Sequence, residues 1–380
     1  MENDILVIGA GPAGLAVAAA LIDKGRRPLV IEKAQAVGAA WRTHYERLHL
    51  HTVKSLSALP GLAFAGEQPR YVPRQGVVDY LDAYAERSGV EPRFGEEATT
   101  IARDGEGWRT ATRSGQAYRS NVVVIATGAN NQPNVPRIDG EDAFAGKILH
   151  SRDYRNATPF AGQRVLVVGM GNTGAEIALD LAEHGVAATL SVRSPVNIVL
   201  RDVLGRPTQE TSILLARLPT RLGDALARFL AGISVGDIRQ LGLRRSPISP
   251  LRELRELGRT PVIDVGTLAR IRAGEIGVRP GIRRLGGDGA EFVDGSKASF
   301  DAIVLATGYR AGIDALFPGI VVPIDASGLP PAMAGDGPLA GIYFVGFDTR
   351  QPGGLLRTIA AQALAVAARI GATSAVMPTA

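Results

Sequence analysis

The chain has 380 residues and a formal net charge of +5, with 46% hydrophobic and 21% charged residues. This length allows two or three domains, and this composition excludes a disordered or collagen-like chain. The 46 glycines are well above the average share of about 7%, so many tight turns are expected. The absence of cysteine excludes disulfides, thiolate zinc sites, cysteine nucleophiles and a dithiol redox centre.

The termini and the charge distribution predict a cytoplasmic protein. The acidic start, Met1 to Asp4, runs directly into an apolar strand, so no secretory signal peptide is expected. The apolar stretches 15–21 and 359–370 are too short or too interrupted for a bilayer, which needs about 20 residues, so no transmembrane segment is predicted. The arginines are scattered rather than striped, which favours a solvated basic surface and predicts no nucleic-acid partner.

A pattern of strand, glycine turn, helix and strand occurs twice, and each copy predicts a dinucleotide-binding unit. The first strands are Ile5–Ile8 and Val165–Val168, and each precedes a G-x-G-x-x-G turn. The first glycine makes the tight turn, the second lets backbone N–H groups approach a pyrophosphate, and the third lets the helix pack on the strand. Because the strand, the glycine turn and the helix have the same spacing in both copies, cofactor binding is favoured over glycine turns that are only structural. The predicted contacts in the two turns are Gly9, Gly11, Pro12, Ala13 and Gly14, and Gly169, Gly171, Asn172, Thr173 and Gly174.

The residue that ends the second strand of each unit distinguishes the two cofactors. Glu32, followed by Lys33, is placed to accept hydrogen bonds from a ribose diol, as in FAD or NAD. Arg193 occupies the equivalent place in the second unit, where a guanidinium with the hydroxyl of Ser194 would bind a 2′-phosphate. The alternative is an exposed arginine without a ligand. The sequence thus predicts FAD in the first unit and NADPH in the second.

Each unit later contains an apolar strand that ends in Ala-Thr-Gly. These strands span 122–128 and 303–308. In two-dinucleotide flavoproteins such strands return the chain to the sheet edge near the cofactor, so Ala126, Thr127, Gly128, Thr307 and Gly308 are further predicted contacts. Because the chain has no cysteine, the disulfide reductases of this architecture are excluded, and O₂ is the expected electron acceptor.

Residues 144–154 carry the pattern F-x-G-x-x-x-H-x-x-x-Y, with Phe144, His150 and Tyr154 at its fixed positions. On this motif the chain resembles the flavin-containing and related class B flavoprotein monooxygenases, most closely the YUCCA-type branch, and a bacterial member is expected. The resemblance extends from Gly9 to about Ile370. It is highest in the segments 45–51, 201–205, 260–267, 300–310 and 343–347.

The resemblance implies an α/β fold with two Rossmann-like domains of the three-layer ββα type, the NADPH domain being inserted in the FAD domain. The FAD domain is expected at residues 1–140 plus 305–380 and the NADPH domain at 155–304. The segment 209–243 is amphipathic, which leaves open either a cap over the active site or contact with a membrane surface. The fold is compatible with a homodimer.

The resemblance also implies a reaction. NADPH reduces FAD, NADP⁺ stays bound, and O₂ adds at flavin carbon 4a to give a hydroperoxide, which transfers one oxygen atom to a small organic substrate. The substrate is a 2-oxo acid such as indole-3-pyruvate, or an amine, a sulfide or a ketone. A non-oxygenating NADPH oxidase or reductase, or a redox sensor, is the alternative.

Two catalytic candidates come from the resemblance. His51 lies where many relatives carry an asparagine that helps to hold the flavin adduct, and an ordinary pocket histidine is its alternative. Arg310 follows Ala-Thr-Gly-Tyr and would meet nicotinamide or substrate, or else form a surface salt bridge. The spacing of His44, His49 and His51 predicts no metal site. Further cofactor contacts implied by the resemblance are Trp41, Arg42, Gln75, Asp348, Gln351 and Leu356, although residues 350–354 depart from the usual spacing and weaken the assignment of Asp348 and Gln351.

Overall fold

The computed structural model describes residues 3–374, which fall into two compact units. The first unit is built from the chain up to Arg42, Thr52–Gln132 and the chain from Tyr309 onward, and the second from Thr43–His51 and Pro133–Gly308. The divisions at 132/133 and 308/309 lie near the expected domain limits at 140 and 305. Residues 133–140, 305–308 and Thr43–His51 lie in the second unit, although the sequence analysis expected them in the first.

The helices and strands of the described residues are numbered in chain order. The helices are α1 (Pro12–Ile22), α2 (Ala39–Arg42), α3 (Arg74–Ser88), α4 (Asn172–Glu183), α5 (Thr208–Leu215), α6 (Thr220–Val235), α7 (Pro250–Leu257), α8 (Thr267–Arg272) and α9 (Leu355–Ser374). The strands are β1 (Ile5–Ile8), β2 (Leu29–Glu32), β3 (Arg93–Phe94), β4 (Ala98–Asp104), β5 (Gly107–Thr112), β6 (Ala117–Ser120), β7 (Val122–Ile125), β8 (Gln132–Pro133), β9 (Lys147–His150), β10 (Arg164–Val168), β11 (Ala187–Ser191), β12 (Ile198–Leu200), β13 (Asp202–Val203), β14 (Arg206–Pro207), β15 (Val262–Asp264), β16 (Ile276–Arg279), β17 (Ile282–Gly286), β18 (Gly289–Phe292), β19 (Lys297–Ser299), β20 (Ala302–Leu305), β21 (Tyr309–Arg310) and β22 (Ile342–Phe344).

The first unit has three layers around a parallel sheet in the order β22-β7-β1-β2-β3. The strands β1 and β7 are continuous apolar runs because both faces of a central parallel sheet are covered. On one face Leu6 and Ile8 pack with Trp108 and Tyr118 of the antiparallel sheet β4-β5-β6. The helices α1 and α9, which pack against each other, complete the unit. This is the predicted ββα arrangement.

The second unit repeats this architecture. Its parallel sheet has the order β16-β11-β10-β20-β9. Leu166 and Ile303 on one face pack with Phe292 of the antiparallel sheet β17-β18-β19. Val165 and Val167 on the other side belong to a core cluster with the apolar residues of α4. The two-domain α/β fold predicted from the duplicated glycine turns is therefore confirmed.

The last helix is longer than the sequence interval 359–370 indicated. Within α9 the stretch Leu355–Ala372 has a mean hydropathy of 1.3 and is, by length and composition alone, able to cross a bilayer. Ile359, Ala363 and Val366 are buried on the face of α9 that belongs to the first unit. Since α9 also packs against α1, it serves as a core helix of this unit.

Candidate cofactor sites and active site

The glycines of the first turn have two different functions. Gly9 has φ +108°, and a Cβ there would lie 2.6 Å from the Ala126 carbonyl oxygen. A Cβ at Gly14 would lie 1.8 Å from the Gly9 oxygen. At Gly11, by contrast, a Cβ would meet none of the described atoms within 4 Å. Protein packing thus requires glycine at the first and third positions, whereas the second keeps room open over the backbone at the start of α1, where a pyrophosphate would approach.

The second turn reproduces this geometry. Gly169 has φ +106° and its Cβ would lie 2.6 Å from the Ala306 oxygen, while a Cβ at Gly174 would lie 2.0 Å from the Gly169 oxygen. A Cβ at Gly171 would again meet none of the described atoms within 4 Å. Neither α1 nor α4 has a side-chain cap among the described residues, so their first N–H groups are available to an anion.

Glu32 is held at the end of β2 beside the first turn. Its buried carboxylate accepts hydrogen bonds from the N–H groups of Ala10 at 2.7 Å and Ala34 at 2.9 Å. A carboxylate has about four lone-pair sites, so these two bonds fix its orientation and leave capacity for a ribose diol. Lys33 is exposed and its ammonium group donates to Asn131 at 2.7 Å.

Arg193 is exposed just beyond β11, and its methylene stem lies beside Gly281. Among the described residues its guanidinium has no hydrogen-bond or ion-pair partner. Arg244, which the sequence analysis did not identify, donates from Nη2 to the Arg193 carbonyl oxygen at 2.6 Å. The Arg244 guanidinium therefore lies at the backbone of Arg193, next to the exposed Ser194.

The two Ala-Thr-Gly ends use their threonines differently. In the part of the chain that the structure describes, the buried Thr127 hydroxyl has no hydrogen-bond partner, which fits a bound group at the first turn. The Thr307 hydroxyl donates to the Asn134 carbonyl oxygen at 2.6 Å, and the Gly308 carbonyl oxygen accepts from His150 Nε2 at 3.1 Å. His150 Nδ1 accepts from the Arg152 N–H, and burial lowers the pKa of His150. These contacts tie the end of β9 to the Ala-Thr-Gly end that follows β20.

Asn172 and Thr173 use their side chains within the second unit. The Asn172 amide donates to the Pro261 oxygen at 3.2 Å and accepts from the Ile263 N–H at 2.7 Å. Thr173 hydrogen-bonds with Tyr45. The geometry thus ties both side chains to neighbouring segments, and only their backbone remains for the predicted contact with the nucleotide.

His51 belongs to a network around the buried carboxylate of Glu176 on α4. His51 Nε2 lies 2.5 Å from Glu176 Oε1, and the Tyr45 hydroxyl donates to the same oxygen at 3.1 Å. Arg47 reaches Glu176 Oε2 at 3.5 Å and binds Glu183 through two bonds of 2.8 and 2.9 Å. Burial and the neighbouring Glu176 raise the pKa of Tyr45, and the hydrogen bonds from Arg47 lower the pKa of Glu183. These contacts explain why Thr43–His51 packs with the second unit.

The sequence analysis missed Glu176. The available signal was a pair of acidic residues, Glu176 and Asp180, four positions apart within the apolar middle of α4, since such residues share a face. Both are buried. His49 does not join His51 in this network, because it is exposed and contacts the Arg47 carbonyl oxygen. Among the described residues no group of three or more histidine or acidic side chains is arranged to hold a metal ion.

The remaining candidates in the first unit lie on three surfaces. Trp41 and Arg42 are on α2, where Arg42 donates to the Val37 oxygen at 2.9 Å and pairs with Asp82. The Gln75 amide donates to Asp79, one turn further along α3. Arg310 is exposed on β21.

The segment before α9 packs against the start of α1. A Cβ on Gly346, which has φ +88°, would lie 3.0 Å from the Ala13 side chain. Asp348 accepts hydrogen bonds from the Arg350 N–H at 3.0 Å and from Gln351 at 3.1 Å, so both predicted polar contacts are used in this turn. Leu356 is half-buried in the first turn of α9. The roles of these residues toward a cofactor stay predictions.

Two open glycine turns, each at the start of a helix in its own three-layer unit, are the arrangement typical of oxidoreductases with two dinucleotide sites. A model of the pyridine nucleotide-disulphide oxidoreductase family matches residues 6–202. The indole-3-pyruvate monooxygenase YUCCA4 of Oryza sativa subsp. japonica is 40% identical over 81% of this chain and 74% of its own length. The probable indole-3-pyruvate monooxygenase YUCCA1 of Arabidopsis thaliana is 37% identical over 96% of this chain and 89% of its own.

A solved flavin-containing monooxygenase from Stenotrophomonas maltophilia has the same fold, with a TM-score of 0.74 and 22% identity, covering 98% of this chain and 99% of that one. The chain belongs to the YUCCA-type branch of the flavin-dependent monooxygenases. It is therefore an oxidoreductase that uses a flavin and a pyridine nucleotide. The expected bacterial source stays a prediction.

Proposed function

We propose that this monooxygenase takes FAD in its first unit and NADPH in its second, and that it converts a small 2-oxo acid of the indole-3-pyruvate type. The observation that carries the proposal is the pair of open glycine turns in a chain that matches a YUCCA protein over 96% of its length. The reaction is an oxidative decarboxylation. The 2-oxo acid, O₂, NADPH and one proton give the carboxylic acid one carbon shorter, CO₂, NADP⁺ and water.

The residues of the first unit fit FAD. The room over Gly11 and the free N–H groups of α1 would receive the pyrophosphate, and the Glu32 carboxylate would accept from the adenosine ribose. The unpartnered hydroxyl of Thr127 gives a further polar contact on the same side of the sheet. When bound, the flavin supplies the chemistry that activates O₂, while the protein binds and orients it.

The second unit fits NADPH better than NADH. The room over Gly171 would receive the pyrophosphate. The guanidinium of Arg193, with that of Arg244 beside its backbone, would bind the 2′-phosphate through charge-assisted hydrogen bonds. A carboxylate at this position would repel that phosphate, whereas Glu32 fills the equivalent position in the first unit.

His51 and Arg310 are proposed to act on the substrate side. Because the Nε2–H of His51 donates to Glu176, Nδ1 remains as the ring nitrogen that can contact substrate or cofactor. The exposed guanidinium of Arg310 would pair with the carboxylate of a 2-oxo acid.

The test is product analysis under ¹⁸O₂. The flavin-loaded protein is incubated with NADPH and a panel containing indole-3-pyruvate, a sulfide, a cyclic ketone and an amine. We expect one labelled oxygen in the carboxylate of the product from the 2-oxo acid, with NADPH and substrate consumed in equal amounts. Oxygen transfer only to another member of the panel would contradict the substrate class. Stoichiometric hydrogen peroxide with every substrate would instead support the alternative, a non-oxygenating NADPH oxidase.

A further inference from the structure

Helix α6 has its large and small apolar residues on unexpected faces. Its buried face consists of small or medium residues, namely Gly223, Ala227, Ala231 and Val235. Three of its larger side chains point to solvent, since Leu222, Phe229 and Ile233 are 50, 62 and 69% exposed, whereas Leu226 packs against the core. Their spacings of seven and four residues place these three on one side of the helix. A helix that served only the core of its unit would show the opposite arrangement.

Two further large apolar residues of the same helical segment are exposed. Leu230 on the same helix and Leu214 on α5 are 40 and 47% exposed. We call these five residues, Leu214, Leu222, Phe229, Leu230 and Ile233, the apolar patch. Single exposed apolar residues are ordinary, but a group that shares one side of a helix is the kind of feature that marks a binding surface.

The charges beside the apolar patch are positive. Arg217, Arg221 and Arg228 are exposed, and Arg228 also donates to the Pro247 carbonyl oxygen. The acidic residue of α6, Asp224, is neutralised by two hydrogen bonds from Arg255, at 2.9 and 2.8 Å. The surface therefore combines apolar side chains with a cationic border.

We propose that the apolar patch is an interfacial membrane-binding surface, which lies on a bilayer containing anionic lipid headgroups. A helix of this composition lies in the plane of the interface, with its apolar side chains among the acyl chains and its arginines at the headgroups. Each basic residue near an anionic leaflet adds to the attraction. The chain's net charge of +5 acts in the same direction.

The charge pattern favours this occupant over a second copy of the chain. In a twofold contact the same patch faces itself, so the border arginines of one copy would come close to those of the other. Such like-charge contacts oppose association. An anionic bilayer instead presents phosphate groups that complement all three arginines.

The experiment is co-sedimentation of the flavin-loaded protein with vesicles of phosphatidylcholine alone, or of phosphatidylcholine and phosphatidylglycerol. We expect binding to the mixed vesicles that weakens with added salt, and at least tenfold weaker binding to the neutral ones. The double variant Phe229→Ser/Ile233→Ser should lose at least tenfold in affinity for the mixed vesicles, and Arg217→Ser/Arg221→Ser should lose the preference for anionic lipid. The matched control is Val293→Ser/Val321→Ser, which removes two exposed apolar side chains elsewhere and should bind like the parent.

Three outcomes would overturn the proposal. One is the absence of vesicle binding by the parent protein, and another is equal binding by Phe229→Ser/Ile233→Ser and the parent at equal melting temperature. The third is a parent protein that does not bind vesicles but forms a dimer in sedimentation velocity, while the variant Phe229→Ser/Ile233→Ser is monomeric. This result would assign the apolar patch to a contact with a second copy of the chain. Because the mutated side chains are exposed, the variant should fold like the parent, and its melting temperature checks this.

Discussion

The Glu176 carboxylate is buried, and three polar side chains of the second unit contact its two oxygens. Tyr45 and His51 bind one oxygen, Arg47 approaches the other, and Arg47 also binds Glu183. A buried carboxylate is tolerated only with such partners, because its desolvation costs several kcal/mol. The consequence is that Glu176 fixes the ring of His51, which makes it a positioning residue for the predicted catalytic histidine.

This role can be tested with the conservative variant Glu176→Gln. The amide can still accept from His51 but loses the charge that orients the ring and Arg47, so we expect kcat to fall about tenfold while the KM for NADPH changes by less than about twofold. In a His51→Ala background the same substitution should leave kcat unchanged, because the ring it positions is gone. Asp180→Asn is the control: Asp180 is equally buried on α4 but accepts from Tyr154. Equal losses in kcat with and without His51 would contradict the role.

Arg193 and Arg244 form a second residue-scale feature, at the end of β11. A hydrogen bond to a charged group contributes about 1.5–3 kcal/mol, so Arg193→Ala should raise the KM for NADPH about tenfold or more and leave that for NADH nearly unchanged. Arg244→Ala should act in the same direction, because it removes the neighbouring guanidinium. Arg239→Ala, an exposed arginine paired with Asp237, is the control. Equal effects on both coenzymes would remove the 2′-phosphate role.

At the scale of elements, the strands and turns of both sheets could be predicted because local sequence determines them. The runs Ile5–Ile8 and Val165–Val168 are apolar throughout, and their glycine turns fix the strand-to-helix geometry. The segment Thr43–His51 could not be placed, because its position depends on contacts with Glu176 and Glu183, more than 120 residues away in sequence. For the same reason Arg244 was missed, as a loop brings it to Arg193 from 51 residues away.

Helix α6 shows a different limit of sequence patterns. The leucines of 209–243 follow a helical period, which predicts an amphipathic helix but not which side is buried. The structure buries the glycine and alanine side and exposes Leu222, Phe229 and Ile233. Small residues allow the helix to pack closely on its own unit. The periodic large apolar residues therefore lie on the exposed face of α6. Which face of an amphipathic helix is buried decides whether its large apolar residues pack in its own fold or remain available to a binding partner.

At the scale of the whole molecule, the two units repeat one design with separate cores, and each has its own glycine turn with open room over the second glycine. Gly11 and Gly171 have φ of −80° and −88°, values that any residue adopts. A valine at either position would therefore meet no described atom of the protein near its Cβ, although it would occupy the room needed by a pyrophosphate. The two cofactors should consequently be removable one at a time.

We expect Gly11→Val to fold but to purify without flavin absorbance, while still binding 2′,5′-ADP in calorimetry. Gly171→Val should retain flavin and lose measurable affinity for 2′,5′-ADP, because its blocked turn lies in the other unit. Circular dichroism and melting temperature establish that both variants are folded; the control Gly14→Ala should not fold, since its Cβ would lie 1.8 Å from the Gly9 oxygen. Loss of flavin from folded Gly171→Val, with retention by Gly11→Val, would reverse the assignment of cofactors to units. Retention of both ligands by both variants would show that the pyrophosphates bind elsewhere.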